Sequence, residues 1–294
     1  MAQASYRKLS EWLFERFGAP VRKVGVLAGF PCPNRDGTLS RAGCSFCNPA
    51  AALPPGITAE DTVTAQLETG TKAVRRRFGV SRYVAYFQDC TPTNCRPVEL
   101  EEKLAEALRF PGVVGLAVCT RPDCLPEQMA DMLARVSENT LLWVELGLQS
   151  ANDETLAASG RNHTVGDCTE ALGRLRSRGL PAVLHVILGL PGETGGDLDR
   201  TADYVRESGA WGVKIHNLHV LKGTRLEEEY AAGRAILPDM EGYAAMAARF
   251  VSRLDPGTVV HRLCADAPSM LLVAPGWMSD KQAVVRAVER RLAD

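Results

Sequence analysis

The chain has 294 residues, about twice the usual span of one domain but ordinary for a single α/β barrel. Apolar residues make up 46% and charged residues 23%, a globular composition with material for one large core. With 34 Lys and Arg against 35 Asp and Glu the net charge is −1, which tells against a generally basic nucleic-acid binder and leaves room only for a local basic patch. The first element, within residues 1–20, reads as an amphipathic helix carrying both acids and bases, without the features of a signal peptide. Uncharged runs elsewhere are too short and too broken by Gly and Pro to span a bilayer, so the expectation is a cytoplasmic protein with no membrane partner.

Val21–Leu27 reads as a short strand that runs into a Pro/Cys/Gly-rich loop reaching Gly56. A helix is predicted over Thr58–Phe78 with Thr58 as its N-cap, then a strand over Arg82–Gln88. The alternation continues with a helix over Val98–Arg109, a strand over Val113–Thr120, a helix over Pro126–Ser137 and a strand over Leu141–Leu148. Helices over Asn152–Gly160 and Val165–Arg178 follow, the second stopped by Gly179. Then come a strand over Pro181–Leu190, a helix over Gly195–Ser208 and a sixth strand over Trp211–Leu221. Six strand–helix repeats imply parallel strands with right-handed crossovers. After Thr224 the rhythm breaks into helices near Leu226–Gly233 and Pro238–Leu254, a strand-like VVHRL and a last helix over Ser279–Leu292.

The expected architecture is an α/β fold: a partial (β/α)6 barrel over residues 21–223, with an N-terminal helix in 1–20 and a C-terminal α/β extension over 224–294 packed on the core. The strand count alone also fits a doubly wound sheet. In both cases ligands gather at the C-terminal ends of the strands.

Nine cysteines in a chain without an export signal point to metal or redox chemistry, and their odd number argues against complete pairing. Directly after the first strand, Cys32, Cys44 and Cys47 stand in a C-x11-C-x2-C arrangement, with Gly37 and Gly43 letting the backbone wrap closely. Soft thiolates suit zinc or an iron–sulfur cluster. Structural zinc asks for four closed ligands, and this loop offers three, with His163 or another Cys as the candidate fourth. Three thiolates on a four-iron cluster leave one iron open.

Six segments occur in order on or just after successive strands: AGFPCPNRDG, TRPDCL, VELGLQS, SGRNHT, LGLPGET and HNLHVLKGT. With the cysteine triplet they resemble radical S-adenosylmethionine (SAM) enzymes of the YhcC/YtqA type, related to the Elongator catalytic subunit and coproporphyrinogen dehydrogenase branches. The resemblance runs from about Val24 to Pro268, and the triplet departs from the commonest C-x3-C-x2-C spacing. It implies a 4Fe–4S cluster on Cys32, Cys44 and Cys47, SAM as the second cofactor, and a low-potential electron donor such as flavodoxin or ferredoxin. The pair would make a 5′-deoxyadenosyl radical, with the protein orienting the reactants. Phe46 falls where this superfamily places an aromatic residue near the adenine. Gln88 ends the second strand where related enzymes hold the methionine amine, although their Gly-Gly-Glu segment is missing here. Gln149 and Arg161 match a SAM-contacting pair, His185 a nucleoside contact, and Gly189 begins the adenine-binding strand end.

Physical chemistry adds further candidates. A carboxylate on a central strand, Glu145, is costly unless paired or bound, so a ribose or amine contact is expected. Lys214, His216 and Lys222 share one parity on the sixth strand and are the candidate catalytic residues, for substrate binding or proton transfer. His219, of opposite parity, reads as structural. Arg121 and Asp123 form either an internal ion pair or a ligand contact. Cys90 with Cys95, and Cys119 with Cys124, form two C-x4-C pairs that offer an auxiliary cluster or a reactive thiol, against buried, inert cysteines. The resemblance and the Arg75–Arg76–Arg77 run make an RNA, with tRNA foremost, the expected substrate. A small metabolite or a protein side chain is the alternative within the same chemistry, and a non-catalytic zinc scaffold the alternative outside it.

Overall fold

The computed structural model describes residues 6–293. Its strands are β1 (Arg7–Lys8), β2 (Val21–Val26), β3 (Arg82–Phe87), β4 (Val113–Thr120), β5 (Leu141–Gln149), β6 (Ala182–Leu188), β7 (Gly212–Asn217), β8 (Val220–Leu221), β9 (Val259–Arg262) and β10 (Leu272–Ala274). Its α-helices are α1 (Leu9–Phe17), α2 (Pro33–Asp36), α3 (Val63–Phe78), α4 (Pro97–Arg109), α5 (Glu127–Ser137), α6 (Asp153–Ala158), α7 (Val165–Arg176), α8 (Gly195–Glu207), α9 (Arg225–Ala231), α10 (Met240–Ser252) and α11 (Lys281–Ala293). Eight strands form one sheet in the order β1-β9-β7-β6-β5-β4-β3-β2, parallel throughout and curled into a half-barrel.

Strand alternation sorts the side chains into two layers. One parity faces the helices: Val24, Val26, Ala85, Phe87, Leu116, Val118, Leu184 and Ile215 join Leu67, Leu104, Met129 and Leu175 in the main core. The other parity faces the barrel interior. There Leu9 and Leu13 of α1 pack beneath Val84, Ala117, Trp143, Val183 and Val259, so α1 plugs the barrel floor. The helix begins at Leu9 and its first expected residues, 1–5, lie outside the described residues.

Three differences from the sequence expectation have local causes. The six-strand sheet gains two members, because VVHRL inserts as β9 along the open edge of β7 and β1 then pairs with β9. Helix α3 starts at Val63 rather than at Thr58. Thr58 is held in a closed turn, its N–H and hydroxyl both donating to Asp61, while the Thr62 hydroxyl accepts from the Ala65 N–H as the true cap. Thr62→Ala is therefore expected to cost about 1 kcal/mol in urea unfolding, whereas Thr58→Ala leaves the start of α3 in place.

The third difference breaks the sixth strand. β7 stops at Asn217, whose buried side chain accepts from the Ala265 N–H at 3.0 Å and donates to the Leu218 carbonyl at 3.2 Å. Val220–Leu221 then pair antiparallel with β10 in a separate small sheet. The parity that linked Lys222 to Lys214 and His216 ends with that break. Among the described residues no helix is long and apolar enough to cross a membrane.

Candidate active site

The cysteine loop leaves β2 at the C-terminal mouth of the barrel and is fastened at both ends. The Asp89 carboxylate accepts from the N–H groups of Ala28 and Gly29 at 2.6 and 2.9 Å. Gln66 of α3 exchanges two hydrogen bonds with the Leu27 backbone. Farther along, the Ser45 N–H donates to the Ser159 carbonyl and the Ser45 carbonyl accepts from the Leu226 N–H. The loop closes over Gly43, where φ +74 favours glycine and a Cβ would lie 2.8 Å from the Arg35 guanidinium carbon. Arg35 in turn donates to the Cys47 carbonyl.

All nine cysteines are unpaired. Cys32, Cys44 and Cys47 open on one cavity together with Phe46, Gln88, Arg121, Gln149 and Arg161, with His216 among its remaining walls. The buried member of the triplet, Cys44, lies 3.5 Å from both Arg161 Nη1 and Asn34 Nδ2. Burial alone would raise its pKa, but Arg161, Asn34 and Arg121 bring it below the ordinary thiol value. Cys47 moves the other way, pushed up by burial and by Cys44 against the pull of Arg35. Thiolates crowded at one buried point call for a cationic, soft partner, which an iron–sulfur cluster supplies.

The walls offer donors as well. Arg161 reaches the Gly147 carbonyl at 2.8 Å, an approach that a side chain at residue 147 would obstruct, since its Cβ would lie 3.1 Å from Arg161 Nη2. Arg121 forms a two-pronged pair with Asp123 at 3.0 and 2.8 Å, so the internal pairing holds while its residue still faces the cavity. Arg161 Nε and Arg121 Nη1 are buried without a partner. Two orphaned guanidinium N–H groups beside the thiols fit an incoming carboxylate.

Sequence reasoning missed Asn34. It is fully buried, bonds the Gly160 carbonyl at 2.7 Å as well as Cys44, and accepts from Asn162, tying the cysteine loop to the segment after α6. Asn48, Cys90, Asn217 and His219 also line the cavity, so His219 is a wall residue rather than a purely structural one.

Below the cavity lies a polar layer, and it claims several residues expected at the mouth. Glu145 is fully buried and does not line the cavity. Its carboxylate meets Lys23 Nζ at 2.8 Å, Lys214 Nζ at 3.0 Å, His185 Nε2 at 2.7 Å and the Trp143 indole N–H at 2.8 Å. Burial opposes its charge, yet Lys214, Lys23, His185 and His261 hold it ionised, well below the usual carboxylate range. The expected ribose or amine contact is thus replaced by internal partners, because Lys23 of β2 and Lys214 of β7 both reach the carboxylate.

His185 is in the same layer. Burial, with Lys214, pushes it down to about 3; its Nε2 is taken by Glu145 and it is not among the residues lining the cavity. Lys214 is committed to Glu145 and to the Tyr86 hydroxyl at 2.5 Å. Gly189, at φ +88, faces Pro238 and Met246 and lies outside the cavity, as does the exposed Lys222. Of the three candidate catalytic residues only His216 reaches it. His216 is half-buried, 2.6 Å from Arg262 Nη2, and desolvation with Arg262 holds it neutral, well below the ordinary histidine value.

The remaining candidates disperse. Cys119 sits inside the barrel 3.9 Å from His185 Nδ1, Cys95 packs against the main core, and Cys168 and Cys264 are core residues. His163, the candidate fourth ligand, is buried and does not line the cavity. The Arg75–Arg76–Arg77 run is exposed at the C-terminal end of α3, at the barrel end opposite the cysteines.

A second cavity beside the β6 end holds Glu193, which accepts from Ser150 Oγ at 2.5 Å. Burial raises Glu193 to about 7 against the ordinary value near 4.3. The folded state then binds this proton more tightly than the unfolded chain. Its contribution is fully present below about pH 4.3 and is lost as pH rises through about 7. In urea midpoints measured from pH 4 to 8, Glu193→Gln should remove that part of the decline.

Family models match most of the chain: the Radical SAM superfamily over residues 37–205 and the Radical SAM C-terminal domain over 210–294. The protein YtqA of Bacillus subtilis is 36% identical over 98% of this chain and 89% of its own length. Protein YhcC of Escherichia coli is 35% identical over 95% of this chain and 90% of its own. Among solved structures, the archaeal Methanocaldococcus infernus Elp3 superposes with a TM-score of 0.69 at 18% identity, covering 92% of this chain and 63% of that one, a likeness of fold. The half-barrel and the matched families agree, and the chain belongs to the radical SAM superfamily of enzymes, which use a 4Fe–4S cluster and S-adenosylmethionine.

Proposed function

We propose that this enzyme cleaves S-adenosylmethionine reductively at the cysteine cavity and acts on an RNA base, with tRNA as the first substrate to test. The observation that carries the reading is the meeting of Cys32, Cys44 and Cys47 on one cavity whose wall includes Arg121 and Arg161. When bound, the cluster and SAM supply a 5′-deoxyadenosyl radical that abstracts hydrogen. The three thiolates hold the cluster, Cys44 with Asn34 and Arg161 behind it. The orphaned N–H groups of Arg161 and Arg121 receive the methionine carboxylate, and the Gln88 and Gln149 amides bind polar groups beside it. Phe46, packed against the Ile187–Leu218 cluster, gives an apolar side to the nucleoside. His216, held neutral by Arg262, is a wall of the cavity that contacts the substrate.

RNA is favoured by exposed cations near the mouth, Arg41 on the cysteine loop and Lys222 after β8, which suit phosphates. The Arg75–Arg77 run does not contribute at that end. A low-potential flavodoxin or ferredoxin is the electron source, and nine free thiols suit the reducing cytoplasm.

The test is anaerobic reconstitution followed by dithionite reduction with SAM. A brown protein with a 4Fe–4S spectrum that releases 5′-deoxyadenosine is the expected result, and a colourless zinc protein would overturn it. Total tRNA should then raise turnover and bind in a salt-dependent way. Stimulation by small molecules of a cell extract but not by tRNA would reassign the substrate to a metabolite.

A further inference from the structure

We infer that Cys90 is a catalytic hydrogen-atom donor, a fourth thiol on the cysteine cavity that returns hydrogen to a carbon radical. The inference rests on the radical chemistry proposed above. Cys90 lines the same cavity as Cys32, Cys44 and Cys47, whereas its sequence companion Cys95 turns away into the core. It is the exposed member of the four, and among the described residues no hydrogen bond ties its sulfur. Three of the thiols have work as ligands, and three ligands leave the fourth iron corner to SAM. The fourth thiol is left free to react.

Its backbone says more. Cys90 has φ +40, in the left-handed region where glycine is the comfortable residue. The neighbouring Asp89 fastens the segment through its bonds to the Ala28 and Gly29 N–H groups, at the root of the cysteine loop. The side chain at residue 90 is therefore held on the cavity wall at a conformational cost, in a segment anchored to the loop that carries the ligands.

The chemistry balances with one external reductant. An S–H bond is weaker than an ordinary C–H bond, so a carbon radical takes the hydrogen atom from the thiol. The C–H bond forms, the S–H bond breaks, and a thiyl radical remains on Cys90. One electron from the low-potential donor and one proton from water restore the thiol. Without substrate, the carbon radical quenched is that of the deoxyadenosyl group itself.

Two measurements test this. In alkylation with N-ethylmaleimide followed by mass spectrometry, reconstitution should shield Cys32, Cys44 and Cys47 while Cys90 stays reactive. Shielding of Cys90 along with them would make it a ligand and overturn the inference. In substrate-free turnover in D2O, exchange of the thiol proton should place deuterium in the 5′-deoxyadenosine of the unaltered enzyme. The label per molecule of product should fall at least five-fold in Cys90→Gly and Cys90→Ser. Cys90→Gly suits its backbone and should melt no lower than the parent. An unlabelled parent product, a label unchanged in the variants, or loss of all product in both variants would each overturn it. If the unaltered enzyme forms no 5′-deoxyadenosine, the proposed function falls with it. If product forms and only the label fails to respond, the proposed function stands and this inference alone is lost.

Discussion

Glu145→Ala is expected to destabilise the protein by about 3–5 kcal/mol, the cost of breaking a buried ion pair from one side. The alanine would strand Lys214, which is 7% exposed, and Lys23, which is 20% exposed, beside a carboxylate that is no longer there. The Trp143 indole N–H and His185 Nε2 would lose their acceptor as well. For a chain of this size the melting temperature should fall by roughly 10 °C. The pairing explains the loss only if removing the opposing charge recovers part of it, so Glu145→Leu combined with Lys214→Met should lie well above Glu145→Ala. A loss under about 1 kcal/mol in urea unfolding would show that the barrel interior is wetter and less dependent on this carboxylate than its enclosure implies.

Cys44→Ala should abolish 4Fe–4S absorption after reconstitution and reduce release of 5′-deoxyadenosine at least about 1,000-fold, the order of a step removed outright rather than weakened. Its neighbours grade the effect. Arg161→Met leaves the three sulfurs in place but removes the cation beside Cys44 and its buried, unpartnered N–H, and a loss of about 10- to 100-fold is expected. Asn34→Ala should fall in the same range through its bond to the Cys44 sulfur. Retention of a full cluster signal and normal cleavage in Cys44→Ala would remove Cys44 from the ligand set.

The strands were legible because β3 to β6 are short, nearly continuous apolar runs, as parallel strands buried on both faces require. The start of α3 was not, since Thr58 and Thr62 are both good caps and the choice falls to Asp61, which closes a turn on the first. The break after Asn217 was hidden for a similar reason: LHVL continues the alternation of KIHN, and only the bond from Asn217 to Ala265 turns the chain.

The site shows the same division. The cysteines and Arg161 announce themselves by chemistry and spacing. Glu145 was rightly marked as an expensive charge, but its partner Lys23 is 122 residues away in sequence. Asn34, in a loop rich in polar residues, carried no signal that its amide would be sealed under a sulfur.

The insertion of β9 has a consequence for biosynthesis. The two ends of the chain are zipped together, with Arg7 and Lys8 paired along β9 and both Tyr6 and Lys8 bonded to Glu289. A nascent polypeptide on the ribosome can lay down β2 to β7 early, but their exposed border stays unsealed until Val259 emerges. His216 likewise waits for Arg262. The half-barrel that carries the cysteine loop therefore reaches its full eight strands only after residues from both halves of the chain have come together.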